Sequence, residues 1–367
     1  MERLAPATAN QLSDQLAEGT SQSAVIHSAT RLDPGLSQSY HYRNYYFMGS
    51  NANKRVTALA TVESPASVAS IDAATRMGVV ALNVGNLNRS VAYYTEALGF
   101  SVLDRNGSDV VLGAGGTPLL LLREQPGALP WLVDAMTGLY HLAILLPTRT
   151  DLGRWLRHFI TLEQPPPGQG DHIVSEALYI RDPDGHGIEV YWDRPREGWE
   201  WSNGRVKMGG GPVDVRSMLA QADAEGKPWS GLPAGTIIGH VHLQVGDIAR
   251  AEEFYHGVLG FDVVSQGPTA LFVSAGGYHH HLGMNTWHSK GAAPAPVDTA
   301  TLRFFSVALP SREAQAEVVT RIAAAGIPYE EVGETVVLRD PWQNTIVLQP
   351  RVVTDATTAA SLATPTA

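Results

Sequence analysis

The sequence predicts an α+β protein assembled from four copies of one strand–helix–strands unit, βαβββ in order. Three observations predict it. GVVALNVGNLNRSVAYYTEALGFSVL (78–103) aligns without a gap on GHVHLQVGDIARAEEFYHGVLGFDVV (239–264). GLYHLAILLPTRTDLGRWLRHF (138–159) matches TLRFFSVALPSREAQAEVVTRI (301–322). RDPDGHGIEVYW (181–192) matches RDPWQNTIVLQP (339–350). Self-similarity of this kind marks a repeated supersecondary unit, and the units begin near residues 77, 138, 238 and 301.

Each element follows from its own pattern. In the first pair Gly78, Leu82, Val84, Arg89, Tyr94, Leu98, Gly99 and Phe100 meet Gly239, Leu243, Val245, Arg250, Tyr255, Leu259, Gly260 and Phe261. Alternating apolar residues open each copy as a strand, and the spacing then turns helical. LGF closes the helix with glycine as the stop and leads into another strand. Units one and two form a first half, 77–195, and units three and four a second, 237–351. The Pro- and Gly-rich stretch 196–236 links them. Residues 1–70, weakly periodic, read as a poorly ordered or peripheral extension. The low-complexity end, 352–367, reads as a disordered tail.

Composition narrows the function. With 44% hydrophobic and 17% charged residues the chain is of ordinary globular type. A net charge of −10 argues against nucleic acid as a partner. The absence of cysteine removes disulfides, thiolate ligands and a cysteine nucleophile, and fits a cytoplasmic protein. No apolar run is long enough to span a bilayer, and MERLAPATANQLSDQLAEG lacks the apolar core of a signal peptide. No membrane partner is expected, and a homo-oligomer stays open.

The stretch GGYHHHLGMNTW (276–287) holds three consecutive histidines. On a strand, His279 and His281 would share one face and His280 would take the other. A buried imidazole needs a metal, a substrate or a hydrogen bond.

The wording TGLYHLAILLP, SEALYIRDPDGHGIEVYWDRP, IIGHVHLQV and ALFVSAGGYHHHLGMNTW resembles the vicinal oxygen chelate superfamily, which includes glyoxalases, bleomycin-resistance proteins and type I extradiol dioxygenases. Within it the chain looks most like the bacterial two-domain catechol 2,3-dioxygenases of the CatE type, over residues 77 to about 350. The resemblance implies that the four βαβββ modules pair into two curved mixed-sheet half-barrels. It also implies that metal ligands stand on the first and last strands of two paired units. Unit one offers Val79 and a leucine run there, and unit four offers Phe304 and Val347. Units two and three offer His141, Glu189 and His240. That is a 2-His-1-carboxylate set, which suits non-haem Fe(II) and leaves positions open for substrate and O₂. Mn(II) fits the same ligand types. A lone histidine on an apolar strand is most often an ordinary residue, but selective filling of three equivalent positions is not ordinary. Because the ligands come from both halves, units two and three must close around the metal together.

By the same resemblance a catalytic histidine belongs to the run, with register favouring His281 and then His280. His279 reads as solvent-facing. His172 and Tyr179 match a histidine and a tyrosine upstream of the carboxylate. His242 reads as cavity lining, and Tyr140, Trp192, Met284 and Trp287 as the pocket for a small aromatic diol. His186 reads as a turn residue in DPDGHG. The implied reaction is extradiol cleavage of a catechol by O₂ to a 2-hydroxymuconic semialdehyde, as in aromatic hydrocarbon catabolism. Two alternatives stay open: another metal-dependent enzyme of the scaffold, such as a glyoxalase-like isomerase, or a metal-free binding or resistance protein.

Overall fold

The computed structural model describes residues 69–131, 135–162 and 164–362. The expectation for residues 1–70 therefore lies, apart from Ala69 and Ser70, outside the described residues. Module 1 comprises β1 (Arg76–Val84), α1 (Leu87–Glu96), β2 (Ser101–Asn106), β3 (Asp109–Ala114) and β4 (Thr117–Glu124). Module 2 comprises β5 (Gly138–Leu145), α2 (Arg149–Ile160), β6 (Gly168–Asp171), β7 (Ser175–Arg181) and β8 (Gly187–Asp193). A hairpin of β9 (Trp201–Ser202) and β10 (Arg205–Val206) and the helix α3 (Val215–Glu225) follow. Module 3 comprises β11 (Ile237–Gln244), α4 (Ile248–Glu252, continued by a π-helical turn), β12 (Asp262–Gln266), β13 (Ala270–Ser274) and β14 (Leu282–Asn285). Module 4 comprises β15 (Leu302–Ala308), α5 (Arg312–Ala324), β16 (Tyr329–Val332), β17 (Thr335–Arg339) and β18 (Thr345–Gln349), and α6 (Ala356–Ser361) ends the described chain.

The repeat extends to the helix caps. Asn86, Thr148, Asp247 and Ser311 each accept, through the side chain, the backbone N–H three residues on. Each thereby satisfies a donor that the first turn leaves unpaired. Gly99 ends α1 with φ +83°, a conformation that favours glycine.

Two eight-stranded mixed sheets result, in the orders β16-β17-β18-β15-β1-β4-β3-β2 and β12-β13-β14-β11-β5-β8-β7-β6. In each, two modules meet through antiparallel first strands, β1 with β15 and β5 with β11. Sheet one therefore joins modules 1 and 4, and sheet two joins modules 2 and 3. The consecutive halves 77–195 and 237–351 are units of sequence, and each lends one module to each sheet. Matching faces explain the choice. β5 and β11 carry His141, His240 and His242 on one face, where β1 and β15 carry Val79, Ala81 and Phe304. Exchanging partners would set Val79 and Ala81 against imidazoles without compensation.

The principal core lies where Val80, Leu82, Leu142, Ile144, Val241 and Phe305 join the helices. Consecutive modules are tied across it by polar locks. Tyr94 of α1 donates to Asp182 in the β7–β8 turn (3.0 Å), and Tyr255 of module 3 donates to Asp340 in the β17–β18 turn (2.8 Å). His186, read as a turn residue, is fully buried and donates from Nδ1 to Asp182 at 2.9 Å.

Two stretches differ from expectation. Residues 196–236 are folded: α3 packs on α2, closely enough that a Cβ at Gly153 would lie 2.6 Å from the Met218 carbonyl. Of the tail expected to be disordered, Ala356–Ser361 forms α6, and residues 363–367 lie outside the described residues. Val353, Ala359 and Leu362 cover the apolar face made by Val79, Ala81, Val111, Leu121, Phe304 and Val347. That burial supplies the free energy for ordering that alanine- and threonine-rich sequence conceals. Among the described residues no helix is long and apolar enough to cross a membrane.

Candidate metal centre

The centre lies on the concave face of sheet two and is built from three strands. β5 places His141 and β8 places Glu189. β11 places His240 and His242, with His242 directly across from His141. Strand alternation alone would set His240 on the face of Ile238, which belongs to the core. A bulge intervenes. Ile238 pairs with Ile144 and His240 with Ala143, so Gly239 is the extra residue. The bulge turns His240 to the concave side.

His141 Nε2 lies 2.9 Å and His240 Nε2 3.1 Å from the same oxygen, Oε2 of Glu189. One ligand atom from each residue falls within 4.8 Å of the others, and all three residues are buried. His141 Nδ1 and His240 Nδ1 have no hydrogen-bond partner among the described residues, and the two Nε2 atoms crowd one carboxylate oxygen. Buried polar atoms left this way require an explanation. A cation held by Nε2 of each histidine and the carboxylate supplies one for the inward nitrogens, and the donor set fits a divalent metal.

Electrostatics agree. Burial pushes the Glu189 carboxyl up, but the imidazoles of His240 and His141 outweigh it and hold the group well below its ordinary 4.5. Burial lowers His141 despite Glu189, and burial with neighbouring imidazoles lowers His242 and His280 well below 6.5. Buried imidazoles of this kind stay neutral near pH 7, the form a metal needs.

Around the triad the structure gathers most of the residues singled out from sequence. Tyr140 meets the rings of His141, His242 and Trp287 at 5.4, 5.2 and 5.5 Å. Asn285 Nδ2 donates to His242 Nε2 at 3.0 Å. Tyr179 lies across from Glu189 on β7, 5.7 Å from the His141 ring. His172 Nδ1 meets the Gly209 carbonyl at 3.0 Å and must donate to it. Its Nε2 therefore accepts from the Tyr179 hydroxyl at 2.6 Å. Gly209 comes from the stretch read as a linker, which thus forms part of the site.

Three expected residues are elsewhere. Trp192 is three residues beyond Glu189, so alternation sends it to the opposite face, against the main core. Met284 alternates with Gly283 and joins the same core. His281 does not face the centre. Its Nδ1 accepts from the Ala275 N–H at 3.2 Å, and its ring packs on Phe261 and Tyr278. The histidine run precedes β14 and follows a turn at Gly276 and Gly277, both with positive φ, so strand alternation does not govern it. His280 instead packs on His240, with ring centroids 4.2 Å apart. His279, read as solvent-facing, is 1% exposed and bound to Asp193 at 2.8 Å. Asp193 and Tyr191 were not singled out from sequence. Their signal was parity, since both continue the face of Glu189 along β8.

Gly239 carries a second requirement. A Cβ there would lie 1.8 Å from the Tyr191 hydroxyl, whose ring packs 4.9 Å from His240. Gly239→Ala is expected to displace Tyr191, lower metal occupancy and cost about 1–3 kcal/mol of stability. Adding Tyr191→Phe is expected to recover part of both losses, as read by metal content and thermal melting.

The profile of the glyoxalase/bleomycin resistance protein/dioxygenase superfamily matches residues 76–190 and 237–348. The chain is 43% identical over 280 residues to a catechol-2,3-dioxygenase of Bacillus subtilis (strain 168), covering 74% of this chain and 96% of that protein. A crystal structure of a candidate dioxygenase from Bacillus subtilis subsp. subtilis strain 168 superposes with a TM-score of 0.51 at 13% identity, covering 77% of this chain and 87% of that one. Maize glyoxalase I superposes at 0.46 and 18% identity, over 75% and 92%. Four repeated modules, cross-paired sheets and a match over both halves lead to one conclusion: the chain belongs to the glyoxalase/bleomycin resistance protein/dioxygenase superfamily.

Proposed function

We propose that the chain is a non-haem Fe(II) extradiol dioxygenase that cleaves a catechol with O₂ to a 2-hydroxymuconic semialdehyde-type product. The observation that carries this reading is the ligand count. His240 on β11 corresponds to His141 on β5, so the position on β14 that corresponds to Glu189 is Gly283, opposite His242. A Cβ there would lie 3.0 Å from the His242 ring. The fourth place is therefore glycine filled by an imidazole, and three protein ligands remain. Three ligands suit a metal that must also hold substrate and O₂, whereas a glyoxalase-like site favours a second carboxylate. Two imidazole nitrogens converging on one oxygen of a buried carboxylate argue against a metal-free binding protein. The 43% identical relative supports the same reading.

Bound Fe(II), or Mn(II) with the same ligands, would supply coordination of both diol oxygens and electron transfer to O₂. The protein's own residues do the rest. The hydroxyl of Tyr179, already donating to His172, receives the second phenolic proton while His172 accepts the tyrosine's. Tyr140 and Trp287 pack beside His141 and His242 and offer aromatic surface that suits an aromatic substrate. His280 faces the other side of the triad and is placed to move a proton there.

The test is to load the protein with Fe(II) without oxygen, then add catechol and air. The expected result is a yellow ring-fission product with one O₂ consumed per catechol. Iron-loaded protein that cleaves none of several catechols would overturn the reading.

A further inference from the structure

A chain of hydrogen bonds runs from the edge of the cup to the His240 side of the centre. Asp193 stands four residues beyond Glu189 on β8, its side chain 17% exposed. Its Oδ2 accepts from the Tyr278 hydroxyl at 2.8 Å, and its Oδ1 faces His279 Nε2 at 2.8 Å. His279 Nδ1 lies 2.8 Å from His280 Nδ1. The His280 ring then packs on His240, and among the described residues nothing hydrogen-bonds its Nε2. Trp199 and Tyr278 hold the His279 ring, with centroids 5.3 and 4.2 Å away.

We propose that Asp193 and His279 are positioning residues that fix the tautomer of His280, so that its Nε2 lone pair is the one free in the cup. The logic is one of donors and acceptors. A carboxylate only accepts, so His279 carries its proton on Nε2. With one proton on each of the two rings, His279 keeps its lone pair on Nδ1. Two nitrogens 2.8 Å apart need one proton between them, and it must belong to His280 Nδ1. His280 Nε2 is left without a proton. Which nitrogen of a histidine can act is set by the bond the other makes. The catalytic meaning, that His280 starts each turnover as a proton acceptor, rests on the ring-cleavage reading above, while the tautomer itself does not.

The test reads the tautomer directly. Full-length protein labelled with ¹⁵N-histidine, both metal-free and loaded with Zn(II), is studied by long-range ¹H–¹⁵N correlation. The His280 signals are assigned by their loss in His280→Gln. In the wild type, Nδ1 is expected to be protonated and Nε2 not. In Asp193→Ala the single form is expected to give way to a mixture. In Tyr278→Phe, which keeps the Asp193–His279 bond, the single form is expected to persist. With Fe(II) and catechol, Asp193→Ala is expected to lower kcat by about 10–100-fold, short of the full loss of an acid–base group, with KM unchanged. A parallel rise in KM would indicate a merely structural role and overturn the proposal. So would a wild-type His280 protonated on Nε2, a measurement that needs no variant to fold. Wild-type protein with the expected tautomer but no ring cleavage would leave this inference standing and remove only the reaction.

Discussion

Glu189→Ala is expected to release the metal and, with it, ring cleavage. The carboxylate oxygen is the point on which both Nε2 atoms converge, so its loss removes a proposed ligand and the negative charge between two buried imidazoles. Residues that only orient ligands typically cost 10–100-fold in metal affinity. Loss of the ligand itself is expected to exceed about 100-fold. Three measurements check this. Metal content after dialysis should fall from one ion per chain to a trace. Turnover with catechol should fall in parallel. Added metal should stabilise the wild type, by about 2.7 kcal/mol at a hundredfold excess over Kd, and leave the melting of Glu189→Ala unchanged. A variant that retains stoichiometric metal would sink the assignment. His240→Ala should behave alike, and because His240 lies in the other half of the sequence, it tests the cross-half pairing as well.

The second large effect falls on stability, far from the chemistry. Asp182→Ala removes a buried carboxylate that accepts from the Tyr94 hydroxyl, His186 Nδ1 and the backbone N–H groups of Asp184 and His186. Four buried donors lose their partner at once. Breaking a buried charged pair costs about 3–5 kcal/mol, a fall in Tm on the order of 10 °C. Its pH dependence has a defined sign. Burial raises the Asp182 carboxyl, but His186 and the hydrogen bonds outweigh it and hold the group below 3.8. Its contribution is present above 3.8 and fades as pH falls through the lowered value. Burial lowers His186, but Asp182 outweighs it and holds the group above 6.5. That contribution is complete below 6.5 and fades as pH rises through the raised value. The Tm gap between wild type and variant is therefore expected to be widest between about pH 4 and 6.5 and to narrow on the alkaline side. A gap that grows steadily to pH 9 would contradict the pairing. The matching lock differs: Asp340 meets Asn344, which carries no charge, and burial pushes its carboxyl up.

The sequence alone determined the repeat, the four modules and the 2-His-1-carboxylate set proposed as ligands. Those are local or comparative properties: apolar period, the glycine stop in LGF, and one residue type at matched positions. It also required the ligands of both halves to meet, because three ligands cannot act from separate cups. What only the tertiary structure decided were the directions of side chains outside regular strands. The histidine run reads as strand, but the Gly276–Gly277 turn and the hydrogen bond from Ala275 direct His280 to the centre and His281 away from it. Trp192 and Met284 look like pocket residues by type, yet strand parity sends both into the core. The bulge at Gly239, the burial of α6 and the reach of Gly209 into the site depend on contacts between segments distant in sequence. Local pattern fixes which face a residue takes only while the backbone keeps its period; where a bulge, turn or tail breaks that period, packing and hydrogen bonding decide.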